Sequence, residues 1–167
     1  MKKLSLWVCL LFSILPIHAS PVSDLELVGQ AKLQVWFWDV YESALYSPDG
    51  LYQVGSYPQA LEIKYLRDIA AADLIDATRE QWQRLSLWSE QSQRWLLTLS
   101  DIWPDIRRGD TLVIKVDQQG VSHFYHNGDL IGQIDETTFA DSFLSIWLSE
   151  DTEYPKLRAR LIGVTPP

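Results

Sequence analysis

Residues 31–47 read AKLQVWFWDVYESALYS. The stretch holds two tryptophans, three other aromatics and few charges. Side chains alternate across a strand, so Trp36, Trp38, Val40 and Glu42 fall on one face, and Val35, Phe37, Asp39 and Tyr41 on the other. Both sets are largely apolar as far as Val40. A strand that is apolar on both faces must be covered on both. The stretch therefore reads as a long, bent central strand against which helices pack. Ser47-Pro48-Asp49-Gly50 closes it with turn chemistry, because proline presets φ and glycine supplies positive φ.

Upstream, the first residues set an expected compartment. Lys2 and Lys3 precede an apolar run from Leu4 to Ile17, followed by His18-Ala19-Ser20. A basic start, a short apolar middle and a small residue form the layout of a secretory signal. The apolar run is shorter than the ~20 residues a spanning helix needs. Residues 1–19 are therefore expected to be cleaved after Ala19, delivering a periplasmic product with no integral membrane segment. Removing 19 of 167 residues leaves 148, enough for one domain, residues 20–167, with a sizeable core. The single cysteine, Cys9, leaves with the signal, so the rest of the chain has no disulfide. The formal net charge of −8 becomes about −10 without Lys2 and Lys3. That balance argues against nucleic acid and against anionic membranes as partners.

Downstream, Pro21 to Glu26 reads as a mobile lead-in and Leu51 to Val54 as a possible return strand after the turn. From Ala60 to Leu66 polar and apolar residues alternate, with Leu61, Ile63 and Tyr65 on one face, which is the pattern of a half-buried strand. Asp68 is placed to cap the next helix. Along that helix Ile75, Thr78, Trp82 and Leu85 recur at helical spacing, with Leu74, Ala77 and Gln81 beside them. Ser89 starts a second helix bearing Trp95, Leu96, Leu99, Ile102 and Trp103, and Pro104 stops it. Thr111 to Val116, Val121 to His126 and Leu130 to Ile134 form a three-stranded meander, with Asn127-Gly128 as a hairpin turn. Phe139, Phe143, Ile146 and Trp147 give a third helix an aromatic face, and Pro155 to Gly163 outlines a short fourth. The order is strands, two helices, strands, two helices: α+β with an antiparallel sheet and helices on one side.

Few residues announce a reaction. His123 and His126, three apart on a strand, point to opposite faces and cannot easily share a metal. No glycine loop cradles a phosphate and no Gly-x-Ser-x-Gly elbow surrounds a serine. The Arg-Gly-Asp triplet at 108–110 reads as a loop turn. Asp39 and Glu42, carboxylates on an apolar stretch, must reach water or a partner. No cofactor and no metal site are expected.

Taken together, Val40-Tyr41 through Ala44-Leu45-Tyr46, Ile63-Lys64-Tyr65 with a following helix ending in Trp82, Gly109-Asp110, Asn127-Gly128 with Gly132, and Phe139 through Ile146-Trp147-Leu148 to Pro155 and Leu161-Gly163 resemble the bacterial branch of the chalcone isomerase-like family. The likeness runs from about Leu27 to Gly163. It implies a curved antiparallel sheet, a helical layer on one face and a cleft between them. In the plant enzymes that cleft closes a flavanone ring, and in other relatives it holds a fatty acid. The enzymes' strand arginine would fall near Gly29 and their threonine near Tyr41, and their helical tyrosine and asparagine near Ala70–Ala71 and Ala77–Thr78. No arginine precedes Arg67 and no threonine precedes Thr78. Without the arginine, neither a phenolate nor a carboxylate has its charge-assisted anchor.

The reading that follows is an exported, non-catalytic relative with no catalytic residues of its own. It would hold a small apolar or amphipathic, fatty-acid-like ligand in a cleft lined by Trp36, Trp38, Tyr41, Tyr65, Trp82, Phe143 and Trp147. Two alternatives stand beside it: an isomerase or lyase using Tyr41 or Tyr46, and an envelope module that docks another protein through exposed tryptophans.

Overall fold

The computed structural model describes residues 20–164. The expected signal segment, residues 1–19, lies outside the described residues. Six strands form one antiparallel sheet in chain order. They are β1 (Glu26–Val35), β2 (Trp38–Ser47), β3 (Gln59–Tyr65), β4 (Thr111–Val116), β5 (Ser122–His126) and β6 (Asp129–Ile134). Helices α1 (Ala71–Arg84) and α2 (Glu90–Ile102) connect β3 to β4, and α3 (Thr137–Leu148) and α4 (Pro155–Leu161) follow β6. This is the α+β architecture expected, an open curved sheet with helices packed on it. No helix among the described residues is long and apolar enough to cross a membrane.

The largest departure lies in residues 31–47. They form no single central strand: the chain reverses at Trp36-Phe37, and Val35 pairs with Trp38. The segment is the end of the β1–β2 hairpin, with β1 at the edge of the sheet. Trp36 takes φ 57°, the position in a two-residue turn that usually falls to glycine. Apolar residues of both parities suit a doubly covered strand and also a protruding tip, so alternation alone could not separate the two. Asn127-Gly128, by contrast, turns as its chemistry requires, with φ of 52° and 93°.

The inner face of the sheet carries Leu45, Leu61, Ile63, Tyr65, Leu112, Ile114 and Val116, all buried. Each occupies an alternate position on its strand, so the period-two pattern of the sequence becomes the floor of the core. Above it Trp82, Trp95, Trp103, Phe124, Phe139 and Phe143 meet mostly edge to face, with centroids 5.3–6.5 Å apart. Trp82 is fully buried, and its Nε1 donates to the carbonyl of Ser142 at 2.9 Å. The joint between α1 and α2 ends at Ser89, whose Oγ accepts from Ser92 N at 3.2 Å while Ser92 Oγ accepts from Ser89 N at 2.7 Å. This reciprocal cap starts α2. At α1 the cap differs from expectation: Asp105 Oδ1 accepts from Ala71 N at 2.9 Å, whereas Asp68 accepts from Arg108 N.

The outer face is partly covered as well. Val22 and Leu25 pack with Ala60, Val113, Tyr46 and Tyr125, and Lys115 Nζ reaches Asp24 Oδ1 at 2.6 Å and the carbonyl of Pro21 at 3.0 Å. The lead-in 21–25 is therefore tied to the sheet. Residues 51–54 form no strand.

Two positions test this construction. A Cβ on Gly29 would run into the carbonyl oxygen of Arg160 and sit 2.7 Å from that of Leu161, both on α4. Gly29→Ala is expected to lower stability by about 1–3 kcal/mol, read in a urea melt, because backbone atoms cannot swing aside. Asp110 accepts from Arg107 N at 2.9 Å, Asn127 Nδ2 at 2.9 Å and His126 Nε2 at 3.1 Å. The Arg107 amide and then Asn127 hold its carboxyl down to about 2. A depressed folded pKa adds stability above the ordinary carboxylate value of about 3.9 and loses it as pH falls toward 2. Asp110→Asn should therefore lower stability at neutral pH and flatten its decline between about pH 4 and pH 2.

Candidate functional site

The sheet floor and the helix layer do not close on each other everywhere. Between β2–β4 below and α1, the end of α3 and α4 above lies a cavity of about 240 Å³. That is just under the roughly 300–1,000 Å³ usual for small-molecule sites. Its floor is made by Ile63, Tyr65, Leu112 and Ile114, side chains that point inward from alternate strand positions. One wall is α1, through Leu74, Ala77, Thr78 and Gln81, which share a helical face at i, i+3, i+4 and i+7. The opposite wall is Phe143, Ile146 and Trp147 of α3, with Leu157 of α4. Ala77 and Asp73 are exposed and border the mouth. Gln81 and Arg84 on α1 bond to Glu153 and to the carbonyl of Asp151, so the α3–α4 loop is held across to α1.

Of the seven residues expected to line a cleft, Tyr41, Tyr65, Phe143 and Trp147 stand in this wall. Trp82 does not: it is sealed inside the ring cluster, because the helical stripe it belongs to faces the α2–α3 packing. Trp36 and Trp38 do not either. They sit at the hairpin tip, 86% and 68% exposed, because the chain reverses between them instead of running on under the helices. The face of α1 that does line the cavity was visible in the sequence as Leu74, Ala77 and Gln81 running beside the buried stripe. Trp103, placed by the sequence in the apolar stripe of α2, also reaches the wall.

The electrostatics of the wall are unusual for an anion site. Among the described residues it contains no lysine, arginine or histidine, and its one formal charge is Asp73 at the mouth. Its polar groups are hydroxyls, an amide and the indole N–H groups of Trp103 and Trp147, of which Trp103 Nε1 and Gln81 Oε1 are buried without a hydrogen-bonding partner among the described residues. Trp147 Nε1 donates to Tyr41 Oη at 2.8 Å, and the Tyr41 and Tyr65 rings meet edge to face at 6.1 Å. Burial pushes both phenols well above the ordinary tyrosine range, so each stays a neutral O–H at neutral pH. The Tyr65 hydroxyl has no hydrogen-bonding partner among the described residues, although the residue is only 6% exposed. Thr78 and Thr152 spend their hydroxyls on the carbonyls of Leu74 and Ile146. Neither threonine hydroxyl is therefore paired with a side-chain base, whereas the Tyr154 phenol has the Glu153 carboxylate beside it.

The position where the resemblance would put an arginine is Gly29, where α4 backbone fills the space of any side chain. The position of the threonine is Tyr41, already engaged by Trp147. The histidines are taken up on the other strands, His123 with Asp117 at 3.0 Å and His126 with Asp110 at 3.1 Å. Among the described residues no group of three or more His, Cys, Asp and Glu is placed to hold a metal ion.

Comparisons with known proteins agree with this construction. A protein from Haemophilus influenzae, described as an uncharacterized protein, is 27% identical over 166 residues, covering 99% of this chain and 80% of that one. The crystal structure of a fatty-acid binding protein of Arabidopsis thaliana superposes with a TM-score of 0.66 at 14% identity, covering 87% of this chain and 90% of that one. At that identity the likeness shows a shared fold. A family model described as chalcone isomerase-like matches residues 18–163, from before β1 to the end of α4. The chain belongs to the chalcone isomerase-like family.

Proposed function

We propose that this protein is a non-catalytic binding protein that encloses the apolar body of a small lipid-like molecule between the sheet and the helix layer. The observation that carries the reading is the cavity itself: an unfilled apolar space with neutral polar groups and no cation in its wall. Burying apolar surface there stabilises a complex by about 25 cal/mol for each Å² removed from water. Fatty-acid binding by the plant protein of the same fold supports an apolar ligand. The wall chemistry selects the head. A carboxylate entering a cation-free wall loses hydration with nothing to replace it, which costs several kcal/mol. A neutral head, such as a carbonyl or hydroxyl, loses less and can bond to the open Tyr65 hydroxyl. Catalysis has no support in this wall, where the tyrosines are held neutral and the threonines are engaged.

Export is part of the same proposal. The basic start and short apolar run of residues 1–19 support it, and a periplasmic location would place the cavity among envelope lipids. The intact mass of the protein recovered from the periplasmic fraction checks this. Loss of residues 1–19 is the expected result, and a full-length chain confined to the cytoplasm would refute export.

Ligand choice is checked by tryptophan fluorescence titration with a matched series: a fatty alcohol, a methyl ketone and a fatty acid of equal chain length. The alcohol and the ketone should bind, and the ionised acid at neutral pH should bind at least about tenfold more weakly. Tyr65→Phe should weaken the alcohol about two- to tenfold, the worth of one hydrogen bond, with little change in the melt. No response to any of the three would remove the binding reading. A preference for the carboxylate would remove the neutral-head reading and leave binding intact.

A further inference from the structure

The hairpin tip is the feature that the cavity does not use. Trp36, Phe37 and Trp38 are 86%, 90% and 68% exposed, whereas the other tryptophans among the described residues are mostly packed inside. Exposed to this degree, they add little to folding. Trp36 also holds a positive φ that a bulky residue adopts only at a cost. The three rings are consecutive at the turn, and the first polar pair, Gln34 with Asp39, lies one rung below them. Consecutive exposed rings above a charged base are the order of apolar and polar layers that a bilayer interface presents.

The base of the finger has a different character. Arg67 and Arg108 border the surface hollow that contains Phe37 and Trp38, with Lys32 and the carboxylates of Asp39 and Asp68 in the same lining. Among the described residues neither guanidinium has a hydrogen-bonding or ionic partner, whereas Lys32 beside them is held by Asp39 and Glu42. Free guanidiniums match phosphate in charge and in fork geometry. The finger reaches three residues beyond Leu33 and Val40, which are part of the cavity wall. At ~3.3 Å per residue that is about 10 Å. Interfacial helices bury their apolar faces about 5–10 Å into the headgroup and acyl boundary, and indole rings favour that same layer.

We propose that Trp36-Phe37-Trp38 is a membrane-docking finger. It inserts into the interface of a phospholipid bilayer, Arg67 and Arg108 meet lipid phosphates at its base, and the adjoining end of the cavity comes to rest against the lipid surface. The acidic net charge of −8 opposes long-range attraction to anionic membranes, so attachment depends on ring burial and on phosphate, which zwitterionic lipids also carry. The finger would dock whether or not the cavity holds a ligand, and failure of one proposal leaves the other standing.

The test uses the protein in the form its own cells accumulate, mixed with phosphatidylcholine vesicles and with phosphatidylethanolamine–phosphatidylglycerol vesicles. The protein should float with both, and brominated acyl chains should quench part of its tryptophan emission. Replacing Trp36, Phe37 and Trp38 together by serine should cut partitioning at least about tenfold, since burial of one large apolar side chain is worth more than that. The exposed positions should leave the melting curve unchanged. Trp36→Phe with Trp38→Phe should keep partitioning and remove the quenched emission. R67Q with R108Q should weaken partitioning on both vesicle types. Flotation that survives the triple serine variant, or quenching that survives the phenylalanine pair, would overturn the proposal. So would a finger that drives only self-association or capture of a protein, with no binding to vesicles.

Discussion

Phe143 stacks on Phe139 at 5.3 Å and tilts against Trp147 at 5.4 Å, and this contact governs how the helix layer meets the sheet. On one side of it the rings of Trp82, Trp95, Trp103, Phe124 and Phe139 fill the space over β4–β6. On the other side Phe143 becomes a wall, and the space over β2–β4 stays open. Rigid rings meeting edge to face fill a volume only where their shapes interlock. Beneath α1 the smaller Ala77 and Thr78 leave a gap, bordered by the rings of Tyr41, Tyr65 and Trp147. Core and cavity are thus two outcomes of one packing problem, and Phe143, Trp103 and Phe124 belong to both.

The same packing accounts for the chemistry. Helix α4 lies so close to β1 that only glycine fits at position 29. A charged side chain at that position is excluded by the backbone itself. Tyr41, one strand over, is turned to Trp147, so its oxygen accepts from an indole and its proton remains available. What faces the open volume is a set of neutral donors and acceptors in an apolar wall. Such a surface can hold a molecule and orient one polar atom, but it cannot stabilise a developing anion as a guanidinium does.

The β1–β2 hairpin joins the two halves of the functional proposal. Its inner part contributes Leu33, Val40 and Tyr41 to the cavity wall. Its outer part protrudes as three solvent-facing aromatics, with the guanidiniums of Arg67 and Arg108 at the base unpaired among the described residues. An edge strand that ends in such a tip is not easily extended by another chain, because the bulky turn and the Lys32–Asp39 pair interrupt its pairing edge. Its shape suits insertion into an interface better than strand addition.

Much of this was legible in the residues. The alternation at Leu61, Ile63 and Tyr65, the helical stripe through Trp82, the Ser89 cap, the Asn127-Gly128 turn and the aromatic face from Phe139 to Trp147 each carry their own local cause, and each formed as that cause dictates. Local chemistry also decided the absence of an early arginine. The position of the 36–38 aromatics could not be read in the same way. Large apolar side chains favour burial wherever the chain offers it, and whether it does depends on where the chain reverses and what lies over it. The turn there contains no glycine or asparagine to mark it. Trp82 and Trp147 likewise share one composition and one helical period, yet the first is sealed in the core and the second faces the cavity. Sequence alone determined most of the elements and their order, though not the reversal that divides residues 31–47 between two strands, and it showed that no arginine precedes Arg67. Only the tertiary structure decided which aromatics fill, which line and which project, because that depends on contacts between segments that are distant along the chain.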